Sequence, residues 1–331
     1  MKSGLALLVL LLCHSLPAAR PAKDPRAALT WTDPAKAAAE DPDFLVQGEY
    51  GRAVPDQPWA VQLVALGDGR YDGYLLEGGF PGLGWDRTKR RVKLSGQREG
   101  GMVRLATPDR VYRATVAKGL ITVIHYGDVL ARLHRVERTS PTLGATPPQN
   151  AVVLFDGSNT DEWDKGRIVD GLLANNDVST RRKFGSYHLH LEFRTPYKPF
   201  ARGQARGNSG VYHQGRFETQ VLDAFGLEGK MNETGGIYSI AHPRLNMCLP
   251  PLRWQTYDVD YTAARFDPAG NLKSNARMTV RLNGVEVHHE QELKKSTTSA
   301  PVKGGTTATG PIFLQHHGNP VFYRNIWIVE K

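Results

Sequence analysis

Two short stretches of this chain place acid–base and hydrogen-bonding side chains at every second position. In Tyr187-His188-Leu189-His190-Leu191-Glu192-Phe193-Arg194, apolar and polar residues alternate strictly. Arg216-Phe217-Glu218-Thr219-Gln220-Val221 continues the pattern, with Asp223 just beyond. Side chains of a β-strand point alternately to its two faces, so each stretch predicts a strand with one core face and one polar face. The polar faces carry His188, His190, Glu192 and Arg194 on the first strand and Arg216, Glu218 and Gln220 on the second. These types hydrogen-bond polyols and transfer protons near neutral pH. One reading sets Glu192 and Glu218 opposite each other across a hollow, as paired carboxylates stand in glycoside cleavage. The other is a polar sheet surface with cross-strand ion pairs, Glu192 with Arg194 or Arg216. Alternation alone leaves both open.

Further candidates lie in turn-rich stretches. His213 follows Asn208-Ser209-Gly210-Val211-Tyr212 and reads either as a general base or as a hydrogen-bonded histidine at a strand end. Gln315-His316-His317-Gly318 holds two adjacent imidazoles, which a strand turns to opposite faces, so the pair does not suit one metal ion. Tyr212, Phe225, Tyr238 and Trp254 are aromatics that either stack on sugar rings or pack in a core. HExxH, CxxC, EF-hand and GxSxG patterns are all absent from the sequence, which offers no zinc, calcium or lipase-type serine signature.

The elements that must position these residues are almost all strands. The runs 60–66, 71–76, 92–94, 102–105, 111–116, 120–125 and 129–136 are short, apolar and separated by Gly and Asp. That spacing predicts antiparallel β-structure, with one short helix near Ala35–Glu40 ahead of it. Residues 138–150 are Pro- and Thr-rich, without periodicity, and read as a linker. Beyond it, strands over 187–194, 216–221, 255–262, 276–282, 285–289, 311–315 and 325–329 predict a sandwich or jelly roll, and Asn283-Gly284 signals a hairpin. The expected layout is a leader over 1–19, a β-rich domain over 30–137, the linker over 138–150 and a jelly-roll domain over 151–331.

Composition bounds the function. The chain has 331 residues and a formal net charge of +9, but its Lys and Arg are scattered. The densest cluster, Lys89-Arg90-Arg91 with Lys93, reads as a solvated strand edge, so no nucleic-acid partner is expected. Of the two cysteines, Cys13 falls in the leader, and Cys248, beside Met247 and Leu249, reads as a small buried hydrophobe. Lys2, the apolar run Leu5–Leu12, Pro17 and Ala18-Ala19 fit a secretory signal, which implies a secreted or periplasmic protein. No other run approaches the roughly 18 apolar residues of a transmembrane helix.

The second half resembles the 3-keto-disaccharide hydrolase domain family. The resemblance rests on Leu154-Phe155-Asp156-Gly157 with Trp163, on Leu189 to Arg194, on Asn208 to Tyr212 and on Gly215 to Asp223. It continues through Gly236-Ile237-Tyr238, Trp254 to Asp258, Asn283-Gly284-Val285 with His288, Gly310 to Gln315, His317-Gly318 and Arg324 to Ile328. The motifs run in order over about 150–331. The family implies an all-β fold, a concanavalin A-like jelly-roll sandwich, and hydrolysis of 3-keto-glycosides. The Glu-x-Asp-x-x-Glu strand of the architecturally related laminarinases is replaced here by Glu218-x-Gln220-x-x-Asp223, which argues against their double displacement.

The resemblance implies another route: removal of the proton at C2, acidified by the C3 ketone, elimination of the C1 substituent, and addition of water. Glu218 or His213 is then the base, Arg194 or Arg216 the enolate stabiliser, and Glu192 the acid or a sugar anchor. Arg194, Arg216, Gln220, Asp223, Tyr238, Trp254, Gln315 and His317 are the expected sugar contacts. A divalent metal held by Glu192, Glu218 and His317 is the alternative way to polarise the ketone. The competing function is a carbohydrate-binding module without catalysis, and after it a structural surface protein. Oligomeric state is open.

Overall fold

The computed structural model describes residues 24–303 and 306–331. The expected leader, with Cys13, lies outside them. After a 3-10 turn at Pro25–Ala28 come helices α1 (Pro34–Glu40) and α2 (Pro42–Val46), each with Pro in its first turn and an Asp cap. The Asp33 carboxylate accepts from the Lys36 N–H and the Asp41 carboxylate from the Asp43 N–H, so donors that a helix start leaves free are satisfied.

Eight strands follow: β1 (Gly48–Tyr50), β2 (Trp59–Ala65), β3 (Arg70–Glu77), β4 (Arg91–Glu99), β5 (Met102–Ala106), β6 (Tyr112–Ala117), β7 (Leu120–His125) and β8 (Asp128–Val136). Each pairs antiparallel with the next, and β1 also pairs with β8, which closes a barrel. Closure leaves no free sheet edge. Leu63, Leu75, Leu94, Leu105, Ile121 and Val123 belong to the buried cluster that fills it. The strands β2 to β8 coincide with the runs read from the sequence. The strand β1 does not, because its three residues, Gly48–Tyr50, are too few to show alternation.

The second half folds into β9 (Val152–Phe155), β10 (Trp163–Asp164), β11 (Ile168–Val169), β12 (Leu172–Ala174), β13 (Val178–Thr180), β14 (Tyr187–Arg194), β15 (Ser209–His213) and β16 (Phe217–Val221). It continues with β17 (Gln255–Thr262), β18 (Arg265–Phe266), β19 (Leu272–Ser274), β20 (Ala276–Leu282), β21 (Val285–Leu293), β22 (Phe313–Leu314) and β23 (Phe322–Glu330). A small sheet runs β10-β13-β22-β15-β16. A large sheet runs β11-β12-β23-β14-β17-β20-β21, with β9 also on β23. They form the expected jelly-roll sandwich around one apolar core. Tyr187, Leu189, Leu191 and Phe193 of β14 are all 0% exposed and meet Val211, Phe217 and Val221 of the small sheet within one cluster. Burying each such side chain contributes about 1.5–3 kcal/mol. Between β20 and β21, Asn283 and Gly284 have φ of 51° and 77°, the left-handed pair that a two-residue hairpin requires.

The polar face of β14 is the outer face of the large sheet, and it is built as a closed network. Across the β14–β17 pair, His188 stands opposite Asp260 and His190 opposite Asp258. His190 Nδ1 lies 2.6 Å from Asp258 Oδ1. Glu192 accepts from Arg324 Nε at 2.6 Å, from Asn325 Nδ2 at 3.0 Å and from the Gly144 N–H at 2.6 Å. Its ion-pair partner is therefore Arg324 on β23, not Arg194 or Arg216. Burial alone would raise the Glu192 carboxyl, but His190 and these donors outweigh it and hold the group near 2. Burial would likewise lower His190, yet its bonds to Asp258 and Glu192 leave it above the ordinary imidazole value.

The segment read as a linker is tied down over this face. Thr142 Oγ1 donates to Asp258 at 2.7 Å, and Asn325 donates to the Ala145 carbonyl at 3.0 Å. At its start, Arg138 makes two 2.7 Å bonds to the buried Glu49 carboxylate of β1. The barrel also grips the sandwich directly. Arg87 donates to the carbonyls of Gly229 and Pro243, and Arg202 of the sandwich donates to that of Leu66. Cys248 is buried, as its neighbours predict, and burial pushes its thiol up to about 12.

Because the depressed Glu192 carboxyl contributes stability above its ordinary value of 4.5, that contribution disappears as pH falls toward 2. Glu192→Gln is expected to lower stability by roughly 1–3 kcal/mol at pH 7 in chemical denaturation. The gap to the native protein should narrow below pH 4.5, and function on the opposite sheet should be unchanged.

Candidate active site

Glu218 sits on β16 with Phe217 and Thr219 turned inward, so its carboxyl points out from the small sheet. Its cross-strand partner is Tyr212 on β15, and Gln220 faces Gly210. The missing side chain at Gly210 is a structural requirement, since a Cβ there would overlap the Glu218 carboxyl. On the other flank, the Tyr238 N–H donates to the Glu218 carbonyl and the Gln220 N–H to that of Gly236. The segment after β21 folds over the top, where the Thr297 hydroxyl accepts from the Glu218 N–H at 3.0 Å. The result is a cavity of about 180 Å³ walled by Glu218, Gln220, Tyr212, Tyr238, Gln315 and His317, with Gln204, Asn208, Thr298 and Ser299 completing it.

Glu218 is 3% exposed and, among the described residues, pairs with no lysine or arginine. Burial therefore raises its carboxyl to about 8, and the neighbouring Tyr212 hydroxyl lowers it only in part. The group is largely protonated at pH 7 and loses its proton just above. It is the one carboxyl on the cavity wall. Gln315 Nε2 reaches the Tyr212 hydroxyl at 3.2 Å, so the phenol that touches Glu218 is itself held.

The expected site residues separate into distinct places. Glu218, Gln220, Tyr238, Gln315 and His317 line this cavity together. Glu192 does not. It lies on the outer face of the large sheet, beside a separate hollow of about 560 Å³ walled by Arg324, Asn325 and Asp156. Two outward faces of a sandwich look away from each other, so the shared hollow expected for Glu192 and Glu218 does not form. Arg194 and Trp254 lie on the Glu192 side, where the Trp254 ring meets the guanidinium groups of both Arg194 at 4.9 Å and Arg324 at 4.1 Å.

His213 points into the core, 0% exposed, bonded to the Tyr187 hydroxyl at 2.9 Å. Burial pushes it down to about 3, so it stays neutral and is no base for a substrate. Arg216 is buried at the β15–β16 turn, where Nη1 donates to the Gln214 carbonyl. Asp223 is 1% exposed and pairs with Arg206 at 2.6 Å, anchoring the loop that carries Gln204 and Asn208. Both are off the cavity wall.

A metal held by Glu192, Glu218 and His317 is not assembled, because Glu192 lies across the sandwich. Among the described residues no group of three or more His, Cys, Asp or Glu converges on a metal position. Sequence reasoning did not place Gln204, Thr298 or Ser299, which come from loops. Asn208, just ahead of β15, and Tyr212 on it share the phase of Gly210, a period-two signal that could have found them but was not read for either.

Tyr212→Phe removes the one contact that lowers Glu218, so its titration should move above about 8, read by ¹³C NMR of labelled glutamate.

Comparisons with known proteins cover the half of the chain that holds this cavity. The family described as the 3-keto-alpha-glucoside-1,2-lyase-like domain matches residues 150–329, which include every residue on the cavity wall. A proposed glycosyl hydrolase from Parabacteroides distasonis ATCC 8503, solved at 2.13 Å, shares 32% identity at a TM-score of 0.50, over 56% of this chain and 85% of that one. A second from the same organism, solved at 1.70 Å, shares 20% identity at a TM-score of 0.42, over 55% of this chain and 94% of that one. No curated protein matches.

Proposed function

This chain belongs to the 3-keto-alpha-glucoside-1,2-lyase-like domain family, and on that premise we propose that it is a secreted or periplasmic enzyme that cleaves 3-keto-glucosides at the Glu218 cavity. The family and the relative at 32% identity support a carbohydrate-active role. The observation that carries the finer reading is the Glu218 carboxyl, buried on the cavity wall, raised to about 8 and, among the described residues, with no cation beside it.

A proton next to a ketone is weakly acidic, and a carboxylate whose conjugate acid sits near 8 is a stronger base than an ordinary one. In the proposed reaction the ionised Glu218 takes the C2 proton. The electron pair of the C2–H bond becomes the enolate, then the C1–C2 double bond, as the C1–O bond breaks and the aglycone leaves with a proton. Water adds to C1 and a proton returns to C2, which completes hydrolysis. Tyr238 and His317 are among the protic side chains on the wall, and in this reading one of them supplies the proton to the leaving oxygen. Direct displacement at C1 needs two carboxyl groups, and this cavity has one. The barrel lies outside the family match and is assigned no chemistry. No helix among the described residues is long and apolar enough to cross a membrane.

Methyl 3-keto-α-glucoside is the test substrate. In D₂O the native protein should place deuterium at C2 and release the sugar, and Glu218→Gln should cut turnover by about 100-fold or more. If Glu218 is the base, kcat/KM rises with pH and levels off above about 8. A rate that falls above that pH would make Glu218 the acid instead. Binding without any C2 exchange or cleavage would leave a carbohydrate-binding module.

A further inference from the structure

One wall of the cavity consists of three amides whose orientation is forced. The Asn232 carbonyl oxygen can only accept, so Gln204 must turn its Nε2 toward it, at 2.8 Å. That leaves Gln204 Oε1 facing its two neighbours. It accepts from Asn208 Nδ2 at 3.0 Å and from Gln220 Nε2 at 2.9 Å. Gln220 spends its second N–H on the same Asn232 carbonyl, at 3.3 Å. Flipping any one amide would set oxygen against oxygen, so the arrangement has a single solution.

The two atoms left over are Asn208 Oδ1 and Gln220 Oε1. Both are buried and have no hydrogen-bond partner, and their residues are only 3% and 1% exposed. Buried polar atoms are nearly always paired, and one left unpaired weakens the fold. Both residues line the cavity.

We infer that Gln204 is a positioning residue that fixes the Asn208 and Gln220 side-chain oxygens as a pair of acceptors for substrate hydroxyls. This rests on the reading of the cavity as a sugar site and adds which part of the sugar lies here. A ketone, carboxylate or phosphate oxygen only accepts, and meets repulsion from two fixed acceptors. The C3 ketone therefore lies away from this wall, and hydroxyl-bearing carbons of the ring face it. Selectivity for the hydroxyls is strong, because a ligand without the donor leaves these acceptors unpaired.

The test titrates methyl 3-keto-α-glucoside and its 2-, 4- and 6-deoxyfluoro analogues into the full chain carrying Glu218→Gln, which slows turnover. Fluorine keeps the size of a hydroxyl but cannot donate. At least one analogue should bind about tenfold or more weakly than the parent, the loss of one hydrogen bond. Adding Gln204→Met should weaken the parent and bring that ratio close to one. Gln220→Met together with Asn208→Leu removes both acceptors outright, must erase the same penalty, and serves where Gln204→Met does not fold. Analogues that all bind like the parent, or a penalty that survives both variants, overturn the acceptor pair while leaving the sugar site standing. A protein that binds no 3-keto-glucoside fails the sugar reading and the inference with it.

Discussion

A carboxyl group kept in a protein interior without a cation beside it is costly in its charged form, and the site around Glu218 is organised by that constraint. Among the described residues its surroundings give it a phenol and a backbone but no guanidinium or ammonium. Glu192 shows the opposite solution in the same domain. It is likewise shut off from solvent, yet Arg324, Asn325, a backbone N–H and His190 surround it, and it stays ionised. One carboxylate is spent on structure and the other is left proton-active. Both are shut off from solvent; Glu192 has the charged and hydrogen-bonding partners that hold it ionised, whereas Glu218 lacks them and is more densely surrounded by protein.

Keeping Glu218 uncompensated requires close control of its neighbours. Gly210 makes room for the carboxyl, and the Thr297 hydroxyl ties the covering segment to β16. The loop bearing Gln204 and Asn208 is anchored by the Arg206–Asp223 pair. The barrel braces the same loop: Arg202 reaches the Leu66 carbonyl, and Phe200 packs against Gly67. A site built partly on a loop gains precision when that loop is wedged between two rigid bodies. This gives the N-terminal barrel a mechanical place in the molecule even though its own core is filled with apolar side chains.

Alternation in 187–194 and 216–221 correctly assigned which residues face the core and which face outward, because a strand has a period of two and the apolar face has only one place to go. It also placed Glu218 and Gln220 side by side. It could not say that the two strands belong to different sheets. The outward faces of β14 and β16 then look in opposite directions, so Glu192, Arg194 and Trp254 fall away from the cavity, while Arg216 at the β15–β16 turn and Asp223 beyond β16 are engaged elsewhere, with the Gln214 carbonyl and Arg206. His213 is the same lesson within one strand: it shares the inward phase of Val211, and its imidazole is bonded in the core. The closing strand β1 was invisible for another reason, being too short to show a pattern and held by its pairing with β2 and β8.

By itself the sequence determined the strand content, the face of each long strand, the hairpin at Asn283-Gly284 and, through ordered motifs, the resemblance to a family. These are local or near-local properties, set by side-chain period and backbone preference. Only the tertiary structure decided which outward residues meet. Sheet order brings β22 beside β15, so Gln315 and His317 join Glu218 from about 100 residues away in sequence. It also decided which carboxyl is charged, because a pKa depends on who surrounds the group in space, and no spacing along the chain encodes that.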